Sequence, residues 1–258
     1  MADSATFHGQ VSRLRLLIGT CYIPKEREGK PQGDDAHFVS EEKQTFGIAD
    51  GVGGWSKQGI DAGEFARQLM HYSESVVKTE KLGLVDLEKV LKVAFSNTNA
   101  RGSTTACLIT LKDQKLNALN IGDSGFRVLR DGECIYRSKV MQKSHNCPYQ
   151  LGKEPGSDDP SLGQAIEVAV EDGDVVVAGT DGLFDNMYDA DIEKVVKDGC
   201  REGQSVADIA WKIAGLAFGN SFDPGLISPY RFESQMMGGK PDDITVVVAK
   251  VVMRGIIA

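Results

Sequence analysis

Long apolar runs are missing from this sequence: the best candidate, at 14–18, falls far short of the ~20 residues that a helix needs to cross a bilayer. No membrane span is expected. Basic clusters are missing as well. Lys and Arg number 29 against 37 acidic residues, and no basic run offsets the net charge of −8. Nucleic acid is therefore not an expected partner, because that affinity comes from clustered cations on phosphates. Cysteine is sparse: Cys21, Cys107, Cys134, Cys147 and Cys200 are odd in number, widely scattered and never in a C-x-x-C pair. Such spacing argues against a disulfide framework or a thiolate zinc site, and for an intracellular, reducing compartment. Neither the apolar core of a secretory signal nor an Arg/Ser-rich amphipathic leader is present at the start, so no targeting leader is expected in this chain.

What is there reads as an ordinary globular chain. Hydrophobic residues make up 41% and charged residues 26% of 258 positions, enough for a real core in a single domain over 1–258. Strand-like runs at 11–23, 36–40 and 45–50 come first. Two helices follow: one begins near Asp61, which has capping-box spacing with Glu64, and the other near Asp86, with Leu87, Val90, Leu91 and Ala94 on one face. Runs at 104–111, 116–122, 126–130 and 133–138 read as strands, the last two joined by Asp131-Gly132, a hairpin dipeptide. Further strands are expected at 168–170 and 174–180, then a helix ending at Gly199, a helix capped by Ser205, and a final strand at 245–252. Short β–β links favour antiparallel pairing. The fold class is α+β: two packed antiparallel sheets flanked by helix pairs, an α-β-β-α sandwich, with long irregular stretches at 141–166 and 219–242.

The informative pattern is where aspartates fall. Apolar runs lead straight into Asp50, Asp123 and Asp181; Asp242-Asp243 stands just before the last strand, Asp34-Asp35 before another, and Asp185 one helical turn after Asp181. Carboxylates gathered at one sheet edge repel one another unless a cation intervenes. An all-oxygen donor set with no paired Cys or His points to Mg²⁺ or Mn²⁺ over zinc. Two such ions can share a water and clamp a phosphoryl group. Each Asp-Gly is also a common turn dipeptide, and Asp131-Gly132 and Asp172-Gly173 are read only so. From the pattern alone, turn aspartates and a metal site both remain open.

Other motifs fail. The segment 181–192 has Leu183 and Asn186 where an EF-hand loop needs an acidic ligand and glycine. Pro241 after Gly239-Lys240 excludes a P-loop. Neither G-x-S-x-G nor H-E-x-x-H occurs, and His71, inside a helix, reads as structural.

Six blocks in order carry a resemblance: G-D-D-A-H at 33–37, G-I-A-D-G-V-G-G-W at 47–55, G-S-T-T-A at 102–106, N-I-G-D-S at 120–124, G-T-D-G-L-F-D-N at 179–186 and K-P-D-D-I-T-V at 240–246. Together they resemble the metal-dependent type 2C (PPM) protein serine/threonine phosphatases. The text at 49–55, 146–151 and 238–245 is most similar to a small organellar branch of plants and animals, which implies a mitochondrion or chloroplast. The resemblance implies hydrolysis of phosphoserine and phosphothreonine on proteins through a water or hydroxide bridging two Mn²⁺ or Mg²⁺ ions. It implies catalytic roles for Asp50 and Asp181 and metal roles for Asp35, Asp50, Gly51, Asp181 and Asp242, with Asp123 and Asp185 at a third, weaker ion. The expected partner is a phosphoprotein substrate, and a monomer is the expected state.

Two departures stand out. The family's proposed general-acid histidine is replaced by Val52, which leaves protonation to a metal-bound water or to another group such as His145. The family's phosphate-binding arginine is replaced by Lys30, which offers a point charge without the bidentate fork. These two changes keep a second reading in play, a catalytically impaired regulatory module of the same fold.

Overall fold

A strand such as 244–253, I-T-V-V-V-A-K-V-V-M, is apolar on both faces and can be buried only between two layers. A computed structural model describes residues 13–25, 32–232 and 237–255 and shows that arrangement. Its first half contains β1 (Leu14–Ile23), β2 (Asp35–Ser40), β3 (Thr45–Asp50), α1 (Ala62–Thr79), α2 (Leu87–Asn97), β4 (Ser103–Thr104), β5 (Ala106–Lys112), β6 (Lys115–Ile121), β7 (Gly125–Arg130) and β8 (Glu133–Arg137). Its second half contains β9 (Gln142–Ser144), β10 (Cys147–Pro148), β11 (Leu151–Gly152), β12 (Gln164–Ala169), β13 (Val175–Gly179), α3 (Asp181–Phe184), α4 (Asp189–Arg201), α5 (Val206–Ser221), α6 (Pro229–Phe232) and β14 (Ile244–Met253).

Two five-stranded antiparallel sheets, ordered β1-β14-β13-β7-β8 and β12-β6-β5-β3-β2, lie face to face. The period of two along each strand divides its residues between layers. Phe46, Ile48, Cys107, Ile109, Val176, Ala178, Val247 and Ala249 fill the space between the sheets. Their neighbours Ala49, Ala106 and Leu108 face α1 and α2, packed through Phe65, Leu69, Val90 and Leu91. On the other side, Val175, Val177, Val246 and Val248 face α4 and α5 through Ile192, Val195, Ile209 and Ile213. The α+β sandwich with helix pairs on both outer faces is thus the observed fold.

Local differences from the sequence reading have physical causes. Asp61 does cap α1, accepting from the Gly63 N–H at 3.1 Å, but Glu64 turns to Arg67 and Gln68, so no capping box closes. Helix α4 runs through Gly199 to Arg201, because Gly199 is a packing glycine: a Cβ there would lie 2.7 Å from Ile209 Cγ1 of α5. The stretch 141–166 is less irregular than its text, forming the short β9–β10 and β4–β11 pairs and the start of β12. Strand β12 begins at Gln164 rather than 168; it is an edge strand with half its residues in solvent, so its apolar signal is weak. In 219–242, α5 extends to Ser221 and α6 follows. The beginning of the first predicted strand, residues 11 and 12, lies outside the described residues.

Candidate functional site

Pairing of β2 with β3 sets Asp35 opposite Asp50 at one end of the sandwich. The Asp50 backbone is then locked from the neighbouring chain. Its carbonyl accepts from Thr105 N at 2.9 Å and Thr104 Oγ1 at 2.8 Å, and its N–H donates to Thr105 Oγ1 at 3.1 Å. The Thr105 hydroxyl lies 2.7 Å from Ser124 Oγ, beside Asp123. Gly51 follows in a space too tight for any side chain: a Cβ would stand 2.6 Å from the Asp34 carbonyl oxygen and 2.8 Å from the Ala62 backbone.

The second sheet supplies Asp181 at the start of α3 and Asp242 two residues before β14; β13 and β14 pair Gly179 with Val246, which puts both aspartates at the same end. Thr180 and Thr245 hydroxyls donate to Asp35 Oδ2 at 2.8 and 2.7 Å, tying the two sheets together beneath the site. Asn186 fixes the loop before β14: its amide donates to the Gly182 and Lys240 carbonyls at 2.9 Å each, and its Oδ1 accepts from Lys240 N at 2.8 Å. Asp243 points the other way, accepting from Lys25 N at 2.8 Å, Asp34 N at 3.1 Å and Tyr22 Oη at 3.1 Å, so it is a structural acceptor.

Asp50, Gly51, Val52, Asp123, Asp181 and Asp242 therefore line one cleft of about 700 Å³. Asp185 lies in an adjoining hollow that also touches Asp123, Asp181 and His145. Asp35 is buried under the cleft floor. His145 stacks on Tyr230 with ring centroids 5.2 Å apart, at the rim of that hollow. His71 sits on the outer face of α1 against Tyr72, as its structural reading expected. Lys30 lies outside the described residues. A larger groove of about 990 Å³ at the far end of the sheets mixes both signs of charge, with Lys115 paired to Glu167 and Arg130 to Glu171, and contains none of the cleft aspartates.

The cleft is electrostatically strained. Burial pushes the Asp50 carboxyl well above the ordinary carboxylate range, and the charges of Asp181, Asp35, Asp242 and Asp123 push it further. Burial and Asp181 likewise raise Asp123 to about 6 and Asp185 to about 7. Asp242 is raised by the same two causes, and Asp35 well above its usual value by burial and Asp243. Asp181 is the exception. Burial opposes its charge, but the charge and hydrogen bond of the Lys240 ammonium, together with hydrogen bonds from the Asp50 carboxyl and the Gly182 N–H, hold it below the usual value.

Lys240 is the residue that sequence reading passed over. Its Nζ contacts Asp181 Oδ2, lies 2.7 Å from Asp185 Oδ2 and 3.4 Å from Asp242 Oδ2, and sits 5.2 Å from the Tyr230 ring centroid. Only its place in the K-P-D-D block could have flagged it. Among the described residues, no three Asp, Glu, His or Cys side chains stand as a group ready to hold an ion. The donor set still fits a hard cation: it is all oxygen, and Asp35 Oδ1, Asp123 Oδ1 and Asp181 Oδ1 are buried without a hydrogen-bond partner among the described residues.

No family model matches the chain. Known proteins do. "Probable protein phosphatase 2C 80" of Arabidopsis thaliana is 45% identical over 244 residues, covering 92% of this chain and 59% of that protein. "Protein phosphatase PTC7 homolog fig" of Drosophila virilis is 38% identical over 242 residues, covering 84% of this chain and 77% of that protein. The solved structure of the photosystem II phosphatase PBCP superposes with a TM-score of 0.85 at 31% identity, covering 91% of this chain and 98% of that one. The chain spans only 52–59% of the length of two Arabidopsis relatives that it matches. Identity at these levels over plant and animal proteins, on a sandwich shared with a solved phosphatase, means that the chain belongs to the type 2C (PPM) protein phosphatase family.

Proposed function

We propose that the chain hydrolyses phosphoserine and phosphothreonine on protein substrates with two Mn²⁺ or Mg²⁺ ions in the cleft. The observation that carries this reading is the convergence of Asp50, Asp123, Asp181 and Asp242 from both sheets on one cleft, with partnerless buried oxygens among them. When bound, the ions would supply an acidified water and positive charge for the phosphoryl oxygens. Asp50 would hold both ions, Gly51 would lend its carbonyl, and Asp181 and Asp242 would hold one each. Asp35, fixed by Thr180 and Thr245, would accept protons of water from below.

The chain's own contribution is placement. Thr104 and Thr105 fix the backbone of Asp50, so the root of its side chain keeps its place whether or not the carboxylate is charged. Asn186 does the same for the loop bearing Asp242. Val52 lines the cleft with a side chain that has no proton to give, so the leaving oxygen receives no help from that position. The phosphate-binding role of Lys30 and a monomeric state belong to the same proposal. So does an organellar location: a relative whose name places it at photosystem II and five free thiols both accord with it.

The test is hydrolysis of a phosphothreonine peptide beside a small aryl phosphate and a nucleotide diester. Turnover of the two monoesters, lost in chelator, restored by Mn²⁺ or Mg²⁺ and poorly by the larger Ca²⁺, is the expected result. Full activity after exhaustive chelation, or turnover of the diester alone, refutes the reading.

A further inference from the structure

Lys240 is built into the acidic cleft too firmly to be a surface lysine that has swung inward. Its backbone is clamped on both sides of the peptide by Asn186, which accepts from its N–H at 2.8 Å and donates to its carbonyl at 2.9 Å. Asn186 is in turn anchored by Gly182 and Asn220, at 2.9 Å each. The side chain, 14% exposed, passes the Tyr230 ring and ends among three carboxylates. Tyr230 is held by its own N–H on the Asp185 carbonyl at 3.1 Å and by the stack on His145. An ammonium so placed is a cation on a tether.

Its position divides the carboxylates. Asp181 and Asp242 are needed by the two proposed ions, and Asp181 is shared with the ammonium. Asp185 Oδ2, at 2.7 Å, faces the adjoining hollow rather than the main cleft. Asp123 already gives one oxygen to Gln142 at 2.7 Å and keeps a single buried, partnerless one. A divalent ion entering between Asp123, Asp181 and Asp185 would meet a charge of +1 covalently attached at the same point. Repulsion between +2 and +1 at contact distance in a partly desolvated hollow is severe.

We propose that Lys240 stands in for a third metal ion: when two divalent ions take Asp50, Asp181 and Asp242, the ammonium yields Asp181 and Asp242 but stays on Asp185, so the chain holds two ions and no more. This rests on the two-ion reading above, and it departs from the third site that the family resemblance implies for Asp123 and Asp185.

Counting bound Mn²⁺ tests it, by calorimetric titration and by metal analysis after equilibrium dialysis against millimolar Mn²⁺, with no assay of activity. The wild type binds two ions, Lys240→Met binds three, and Asp185→Asn still binds two. Lys240→Met also melts lower than the wild type in chelator, since the carboxylates lose their counter-charge, and gains more from Mn²⁺. Three ions in the wild type falling to two in Asp185→Asn overturns the proposal, as does a count of two in a folded Lys240→Met. Should Lys240→Met fail to fold, Lys240→Gln takes its place, with three ions expected and a count of two in the folded variant overturning the proposal. No Mn²⁺ bound by the wild type overturns the two-ion reading itself and this inference with it.

Discussion

Replacing Asp123 by asparagine should stabilise the metal-free protein, fully at neutral and higher pH and progressively less as the pH falls below about 6. Asp123 is 7% exposed, and burial with the nearby Asp181 charge raises its carboxyl to about 6. Relative to an ordinary carboxylate that is about two pH units, or about 3 kcal/mol at ~1.36 kcal/mol per unit. The sign follows from proton linkage. A carboxyl raised in the folded state binds its proton more tightly there than in the unfolded chain, so folding is favoured at low pH and stability falls as pH rises through the interval from about 4 to 6. Above it the whole penalty is present; at pH 5 about half of it, and at pH 4 little.

Asparagine removes that penalty while keeping the contact that matters, because its carbonyl can still accept from Gln142 Nε2, now 2.7 Å from Asp123 Oδ2. Its NH₂ then falls where Asp123 Oδ1 has no partner, beside carboxylates that can accept from it. At about 2–4 °C per kcal/mol for a chain of this size, Asp123→Asn should melt roughly 6–12 °C above the wild type at pH 8 in chelator. The gap should shrink steadily toward pH 4. Differential scanning fluorimetry or calorimetry across that range reads it directly. A melting difference that does not change with pH, or a variant less stable than the wild type at pH 8, would refute the argument that the cleft is strained by its own charge.

Asp50→Asn and Asp181→Asn should lose turnover with folding intact, and Asp50→Asn should melt no lower than the wild type in chelator; a large fall in its melting temperature would make Asp50 structural. Thr105→Val removes the hydroxyl that accepts from Asp50 N and meets Ser124, so it should cost about 1–3 kcal/mol in denaturant titration and lower kcat, with a neutral result refuting the backbone clamp. If Val52 leaves the departing oxygen unprotonated, aryl phosphates should outpace phosphothreonine peptides strongly, and Val52→His should narrow that gap. His145→Ala should change little; a flat leaving-group dependence that is lost in His145→Ala would instead make His145 the acid.

Much of the sandwich was legible because its strands are buried on both faces. Runs such as 175–178 and 246–249 are apolar without interruption, and Asp172-Gly173 and Asp181-Gly182 mark the ends of the first. Helices α2 and α5 announced themselves through Asp86 and Ser205, which cap as expected, Ser205 with Asp208 in a closed capping box. The pieces that were not legible lack either signal. β9, β10 and β11 are two or three residues long, too short for a period to show, and owe their conformation to partners such as β4, nearly fifty residues away. Asn186 and Lys240 were equally hidden: each acts through a partner 54 residues distant, and one lysine among many carries no periodic mark.

The aspartates were legible for a subtler reason. Asp131, Asp172 and Asp174 also follow or precede strands, yet none belongs to the cleft, and strand direction explains the division. β13 begins after Asp174 and ends before Asp181, and its antiparallel neighbours run the other way. The acids after β3 and β13 and before β14 thus collect at one end of the sandwich, with Asp123 just before β7 at the same end. Those after β7 and before β13 collect at the opposite end. There each acid is accommodated: Asp174 by the Arg130 fork at 2.8 Å on both oxygens, Asp172 by Met253 N at 2.7 Å, and Asp131 as a turn residue with φ of 53°. At the cleft end the matching positions carry more carboxylates than cations, and oxygens are left without partners. The difference between a structural and a functional aspartate here is which end of an antiparallel strand it terminates, a parity that can be read from the chain once the pairing order is known.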